Sequence, residues 1–293
     1  MNGVLVVDKP SGPTSHDVVG RVRRALGTRR VGHTGTLDPL ATGVLPLVIG
    51  RATRLAQFLS SDEKEYVADV AFGVSTSTYD ALGSELPHEA SAPVDLSRLD
   101  GALGEFRGTY LQTPPAFSAK KVSGKPAYEL ARSGASPELK PVQVTVTALE
   151  VLEQGQRRAS LRVVCSSGFY VRTLAHELGR RLGCGAHLAA LRRARAGTFT
   201  LADAVPLDVL EQEGVAAALR LIPLERLLPA IPSVVLTEDG VRRALHGNLL
   251  PPSAHESELP LTARVRLLDG AGQLVGIAEL EPGGLLHPVI VLM

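Results

Sequence analysis

Gly32-His33-Thr34-Gly35-Thr36-Leu37-Asp38-Pro39-Leu40-Ala41-Thr42-Gly43-Val44-Leu45 sets a single carboxylate among glycine, threonine and proline, and then runs directly into an apolar strand. Proline disfavours the helical region for the residue before it, so Asp38 is expected in an extended or turn conformation with its side chain presented. Gly32, Gly35 and Gly43 are free to take positive φ and to admit a second backbone at close range, as a loop wrapped around a substrate requires. On spacing alone, an Asx-turn in which the carboxylate caps its own backbone is the simpler reading.

The surrounding chain has 293 residues, 44% hydrophobic and 21% charged, the composition of an ordinary globular protein with length for about two domains. No stretch approaches a membrane span. The opening Met1-Asn2-Gly3-Val4-Leu5-Val6-Val7-Asp8-Lys9-Pro10 lacks a basic region and meets an aspartate after four apolar residues, which reads as a strand and not as a signal peptide. Cys165 and Cys184 are too few for a disulfide framework and have no zinc-ligand spacing, so both are expected as buried thiols in a reducing cytoplasm.

The formal charge is only +1, but it is unevenly distributed. Residues 107 to 196 hold 15 Lys and Arg against 5 Asp and Glu, whereas 81 to 106 hold one arginine against five acids. A polyanion is the natural partner of such a basic stretch, because neutralising phosphates releases counterions. Part of it, residues 109 to 136, interleaves Tyr110, Phe117 and Tyr128 with Lys120, Lys121 and Lys125. That mixture suits a clamp on RNA, with rings for bases and ammonium groups for phosphates, and suits a solvated surface loop equally well. Arg180, Arg181, Arg192, Arg193 and Arg195 form a second basic cluster.

Periodicity predicts a buried strand over Val4 to Val7 and an amphipathic helix capped by Ser15 and ended by Gly27. Strands follow at Val44 to Ile49 and Tyr66 to Val74, with a short helix near Arg51 to Leu59 and a surface loop over 84 to 98. Alternation then places Val142, Val144 and Val146 on one strand face and Leu161, Val163 and Cys165 on another. A helix with Val171, Leu174, Ala175, Leu178 and Leu182 on its apolar stripe stops at Gly183. Helix returns over 206 to 229, Pro229 and Pro232 frame a linker, and short strands between Asp-Gly and Gly-Gly turns mark a small β-rich domain over 230 to 293.

Two further residues bear on the Asp38 carboxylate. Arg172, where a strand gives way to a helix, can hold a nearby acid ionised by lowering its pKa about one to three units, or can serve as a structural ion pair. Tyr66 can stack on a base and offer its hydroxyl, or can simply begin a strand.

Here the chain resembles a known family. The 32 to 45 loop is similar to the signature of the TruB family of bacterial tRNA pseudouridine-55 synthases. The likeness continues through the Gly3 to Pro10 block, Lys64-Glu65-Tyr66, Asp80, Pro114 to Lys125, Ser167-Gly168-Phe169-Tyr170-Val171-Arg172-Thr173, and Leu182 to Leu188 with Leu191-Arg192-Arg193. It implies an α+β pseudouridine synthase fold with a mixed, largely antiparallel sheet flanked by helices. Residues 1–229 would form the catalytic domain, with a thumb-like RNA-binding insertion at about 109–136, and 230–293 a small PUA-like domain. The implied reaction isomerises uridine in the T-loop of tRNA, without cofactor or metal, in a cytoplasmic monomer that needs no protein partner.

By the same resemblance Asp38 is the catalytic carboxylate, by addition to uracil C6, attack at ribose C1′ or removal of a C2′ proton, and every route requires an ionised acid. Arg172 would pair with it, and Tyr66 would pack on the target ring and take the C5 proton. Tyr170, Leu191 and Asp80 would line or brace the pocket, His33 would wedge into the T-loop, and Lys9 joins the substrate-binding set. Tyr79 stands where the family more often has a small residue. An RNA-binding folding chaperone with incidental synthase activity and a guide-RNA-dependent synthase are the competing readings. The Asp38, Tyr66, Arg172 set argues against the first and the 109 to 136 insertion against the second.

Overall fold

The computed structural model describes residues 1–60, 62–87, 93–118, 120–122, 124–133, 138–256 and 262–292. Part of the expected 84 to 98 loop and the end of the expected clamp lie outside the described residues.

The strands in chain order are β1 (Gly3–Lys9), β2 (Val31–His33), β3 (Thr42–Ile49), β4 (Lys64–Phe72), β5 (Gly108–Gln112), β6 (Lys121–Val122), β7 (Lys125–Pro126), β8 (Val142–Gln154), β9 (Arg158–Cys165), β10 (Ala186–Ala196), β11 (Phe199–Thr200) and β12 (Val205–Pro206). The helices beside them are α1 (Ser15–Leu26), α2 (Ala56–Ser60), α3 (Leu99–Gly104), α4 (Ala127–Arg132), α5 (Val171–Leu182) and α6 (Leu207–Glu213). The main sheet runs β12-β1-β3-β10-β4-β9-β8-β5, with β2 added to β3 and β11 to β10. Only the β1/β12 and β3/β10 pairs are parallel, so the sheet is mixed and largely antiparallel, as expected of the α+β class.

The unbroken apolar run at Val4 to Val7 is explained by burial on both faces. Leu5 and Val7, with Leu45, Leu47 and Ile49 of β3, face the core that α1 and α5 cover. Val4, Val6, Val44 and Val48 face the other way, onto Leu274, Ile277 and Leu292 of the C-terminal unit. That unit has its own sheet, β13 (Ser233–Val235), β14 (Arg264–Leu268), β15 (Leu274–Glu281) and β16 (Leu285–Val291), in that order. It also carries a helix, α7 (Glu238–Leu245), which periodicity over so short a segment did not reveal.

The first helix is capped one residue earlier than expected. Thr14 is the N-cap, its side chain and that of Asp17 forming a capping box, so the Ser15 side chain is left for other work. Gly27 closes the helix in the left-handed conformation, and Gly183 closes α5 likewise. Residues 108 to 112 are an edge strand paired with β8, and Tyr110 packs edge-on against Phe106 at 5.9 Å. Residues 109 to 112 of the expected clamp are thus part of the main sheet, and Tyr110 is half-buried against its core. Lys121–Val122 and Lys125–Pro126 form a two-stranded hairpin on which Lys120, Lys121 and Lys125 are exposed.

Candidate active site

The Asp38 loop is pinned from two sides. Ser15 donates its hydroxyl to Leu37 O at 3.0 Å and accepts from Leu37 N at 2.8 Å. Beneath the loop, the fully buried Lys9 ammonium donates to the carbonyls of Ala41 (2.7 Å), Pro10 (2.9 Å) and Pro39 (3.3 Å). Burial pulls Lys9 down to about 8, against the pull of Asp38. Lys9 was expected to meet substrate. With no exposed surface and its donors directed at backbone, it positions the loop instead. Gly43 is required where the loop enters β3, since a Cβ there would collide with the Arg193 backbone of β10, whereas Gly32 does not adopt positive φ. Ser15→Ala leaves both Leu37 groups without their partner in a buried setting and is expected to lower stability in urea unfolding by about 1–3 kcal/mol.

Asp38 lies in irregular backbone, and its carboxylate turns to Arg172 and not to its own chain, so the Asx-turn reading fails. Arg172, at the start of α5, is 4% exposed. Its Nη2 donates to Asp38 Oδ1 at 3.0 Å, and Nε stands 2.8 Å from Oδ2 as an ion contact without the alignment of a hydrogen bond. The rest of the guanidinium is held as firmly: Nη2 also donates to Phe117 O (3.0 Å), Nη1 donates to Thr78 O (3.1 Å), and Nη1 lies 3.7 Å from Asp80 Oδ2. Asp80 is buried and is itself fixed by Thr78 Oγ1 (2.5 Å) and Leu82 N (3.1 Å). It is absent from the cavity wall and stands behind Arg172, the bracing place of the two that the sequence left open for it.

Burial pushes the Asp38 carboxyl above its ordinary value and Asp80 adds to this, while Arg172 and Lys9 pull it back. A third of the side chain stays open to the cavity, and hydration of that part limits the push. The result is a carboxylate aimed by a buried guanidinium into a cavity of about 240 Å³. Tyr66, Phe169, Tyr170 and Leu191 line it, an aromatic and apolar wall suited to a flat ring. Tyr170 is fixed through its backbone, N–H to Gln112 Oε1 (2.8 Å) and C=O from Gln112 Nε2 (3.1 Å). Burial pushes the Tyr66 phenol up, and the Arg193 guanidinium against its hydroxyl opposes this. His33 stands on β2, half-buried and outside the cavity wall, with burial and the nearby Arg193 lowering its pKa.

Sequence marks Arg193 as one of a basic cluster and of the Leu191-Arg192-Arg193 block, without a role in the site. It is 1% exposed, lines the cavity beside Tyr66, and donates to Val44 O (2.6 Å) and Gly35 O (3.2 Å). Strand alternation carried the signal: Leu191 and Arg193 share a face of β10. The rest of that cluster is paired, Arg180 with Glu177, Arg181 with Glu105, Arg192 with Asp8 and Arg195 with Glu63 and Glu65. It offers polyanions far less free charge than its composition suggested. A different set does: Arg29, Arg30, Arg51 and Arg54 line a second concavity of about 520 Å³ next to β2, and none makes an ion pair among the described residues.

Comparison with known proteins fits this geometry. Residues 23–171 match the family described as TruB family pseudouridylate synthase (N terminal domain), 172–229 the tRNA pseudouridylate synthase B C-terminal domain, and 232–292 the C-terminal domain of pseudouridine synthase II TruB. The chain is 48% identical over 296 residues to a protein of Solibacter usitatus named tRNA pseudouridine synthase B, covering 100% of both chains. It is 44% identical over 298 residues to the protein of that name from Ralstonia nicotianae, covering 98% of this chain and 93% of the relative. Among solved structures it is similar to the chain in an H/ACA RNP bound to a substrate RNA containing 2′-deoxyuridine, with TM-score 0.73 and 25% identity, covering 99% of this chain and 85% of the other. A Cbf5-Nop10-Gar1 complex gives TM-score 0.72 and 28% identity over the same shares. The fold is the pseudouridine synthase fold, and with matches over its whole length the chain belongs to the TruB family of pseudouridylate synthases.

Proposed function

We propose that the protein converts the uridine at position 55 of the tRNA T-loop to pseudouridine, with Asp38 as the catalytic carboxylate. The observation that carries this reading is the Asp38–Arg172 pair facing a cavity walled by Tyr66, Tyr170 and Leu191. In the reaction the N1–C1′ bond breaks, the C5–C1′ bond forms, C5 loses its proton and N1 gains one. A base stacked inside the T-loop is out of reach, so it must be flipped out at a cost of about a few kcal/mol. Stacking on an aromatic wall returns about 1–3 kcal/mol. His33, kept neutral near pH 7, suits a wedge that fills the vacated stack. A phenol held protonated suits Tyr66 to packing on the ring and relaying the C5 proton, and does not suit a standing phenolate.

The RNA backbone is assigned to the exposed lysines of the β6–β7 hairpin and to Arg29 and Arg30, just before β2, with Arg51 and Arg54, just after β3. Residues 1–229 act as the catalytic domain, and 230–293 as a PUA-like unit packed on its back face. The double variant Arg30→Glu, Arg54→Glu is expected to weaken tRNA binding at least about tenfold and to flatten its salt dependence by about two counterions, with little change in single-turnover rate at saturation. Filter binding across a salt series checks this.

The direct test is release of tritium from C5-labelled uridine in an unmodified tRNA transcript, with carbodiimide mapping of the product. Activity on the isolated T-arm and its loss when U55 is replaced by C support the proposal. The likeness to Cbf5 complexes motivates a second reading, a guide-dependent enzyme. Full activity by the purified monomer without guide or partner rules that out.

A further inference from the structure

Tyr79 is a tyrosine with φ of 64°, in the left-handed region that residues bearing a Cβ rarely occupy. The residues on either side of it serve Arg172: Thr78 O accepts from Nη1, and Asp80 faces the same nitrogen. The turn is tight. Tyr79 N donates to Thr76 O, Thr76 Oγ1 donates to Asp80 O, and Asp80 bridges in parallel to Leu188 of β10, with Leu188 N donating to Tyr79 O. Within this turn the φ of Tyr79 sets how Thr78 O and Asp80, on either side of it, are presented to the guanidinium. The Tyr79 ring lies flat on His176, with centroids 3.8 Å apart and planes 10° apart. His176 is one turn along α5 from Arg172, so ring and guanidinium rise from one rigid helix. The imidazole engages through its face, its buried Nδ1 having no hydrogen-bond partner among the described residues.

We infer that the Tyr79–His176 stack is a strut that positions Arg172: by holding Tyr79 in its strained conformation, it keeps Thr78 O and Asp80 against the guanidinium that aims Asp38. Neither ring lines the Asp38 cavity, so both are positioning residues. The inference rests on the reading of Asp38 and Arg172 as the reacting pair.

The test measures single-turnover tritium release at saturating enzyme, tRNA affinity by filter binding, and thermal melting, for Tyr79→Phe, Tyr79→Ala, Tyr79→Gly and His176→Ala. Asp38→Asn is run beside them. Tyr79→Phe keeps the stack and should stay within about twofold of wild type. Tyr79→Ala and His176→Ala should slow turnover about 10- to 100-fold, the scale of a displacement near 1 Å, with affinity within about threefold. Tyr79→Gly removes the backbone strain along with the ring, so it should melt no lower than wild type and still be slow. Wild-type rates in Tyr79→Ala and His176→Ala overturn the inference, as does a loss that appears in affinity and not in rate. If Asp38→Asn remains active, the underlying reading of the site fails; if it is dead while the strut variants are normal, only the strut fails.

Discussion

Asp38→Asn is expected to abolish pseudouridine formation, with a fall in single-turnover rate of at least about 10⁴-fold, because the amide offers neither a nucleophile nor a base for any of the three routes. The same variant should bind tRNA within a few-fold of wild type. Asn has nearly the shape of Asp, and its carbonyl oxygen can still accept from Arg172 Nη2. The loss should therefore fall on the chemical step, and tritium release beside filter binding separates the two. Product formation at an ordinary rate would remove Asp38 from the mechanism. Retained binding in a dead variant would also give a direct means of asking whether the protein assists tRNA folding, since a chaperone would not need this carboxylate.

Arg172→Lys is expected to lower the rate about 10²- to 10³-fold while keeping the charge. The guanidinium reaches Asp38, Phe117 O and Thr78 O from one planar fork, and a single ammonium point cannot satisfy all of these at once. The variant should also move the pH profile. Burial raises the Asp38 carboxyl above its ordinary value, and the reactive form is the ionised one, so activity is present above that raised value and is lost as the pH falls through it. Arg172 opposes the rise. Weakening its contact lets the carboxyl climb further, and the acid limb of the rate profile should shift to higher pH. A slower enzyme with an unmoved acid limb would mean that Arg172 does not tune Asp38.

The loop that holds the acid could be read from local rules: Pro39 kept Asp38 out of a helix, Gly43 marked a close approach, and the ordered blocks from Gly3 to Arg193 identified the family. The partners of the loop could not be read in that way. Ser15 resembles a helix cap in sequence, but the Thr14 and Asp17 pair fills that role, and nothing within a dozen residues indicates that the Ser15 hydroxyl grips Leu37. Lys9 stands among the substrate contacts by resemblance alone, and its sequence neighbours say nothing of its burial. Only the stacking of β1 beneath the loop shows that it is sealed.

Local order along the chain determined most elements and the candidate residues of this protein: alternation set the strands, the 3.6-residue stripe set α5, and one carboxylate before a proline set the candidate centre. Tertiary structure alone decided which cations are available. Arg172, Arg193 and Lys9 are buried against backbone carbonyls and an acid, Arg181, Arg192 and Arg195 are neutralised by carboxylates from distant segments and Arg180 by Glu177 on its own helix, and Arg29, Arg30, Arg51 and Arg54 stay unpaired among the described residues. The reason is physical. Propensity and periodicity act over a few residues, whereas the ionisation and orientation of a side chain depend on the groups that other strands and helices bring within a few ångströms of it.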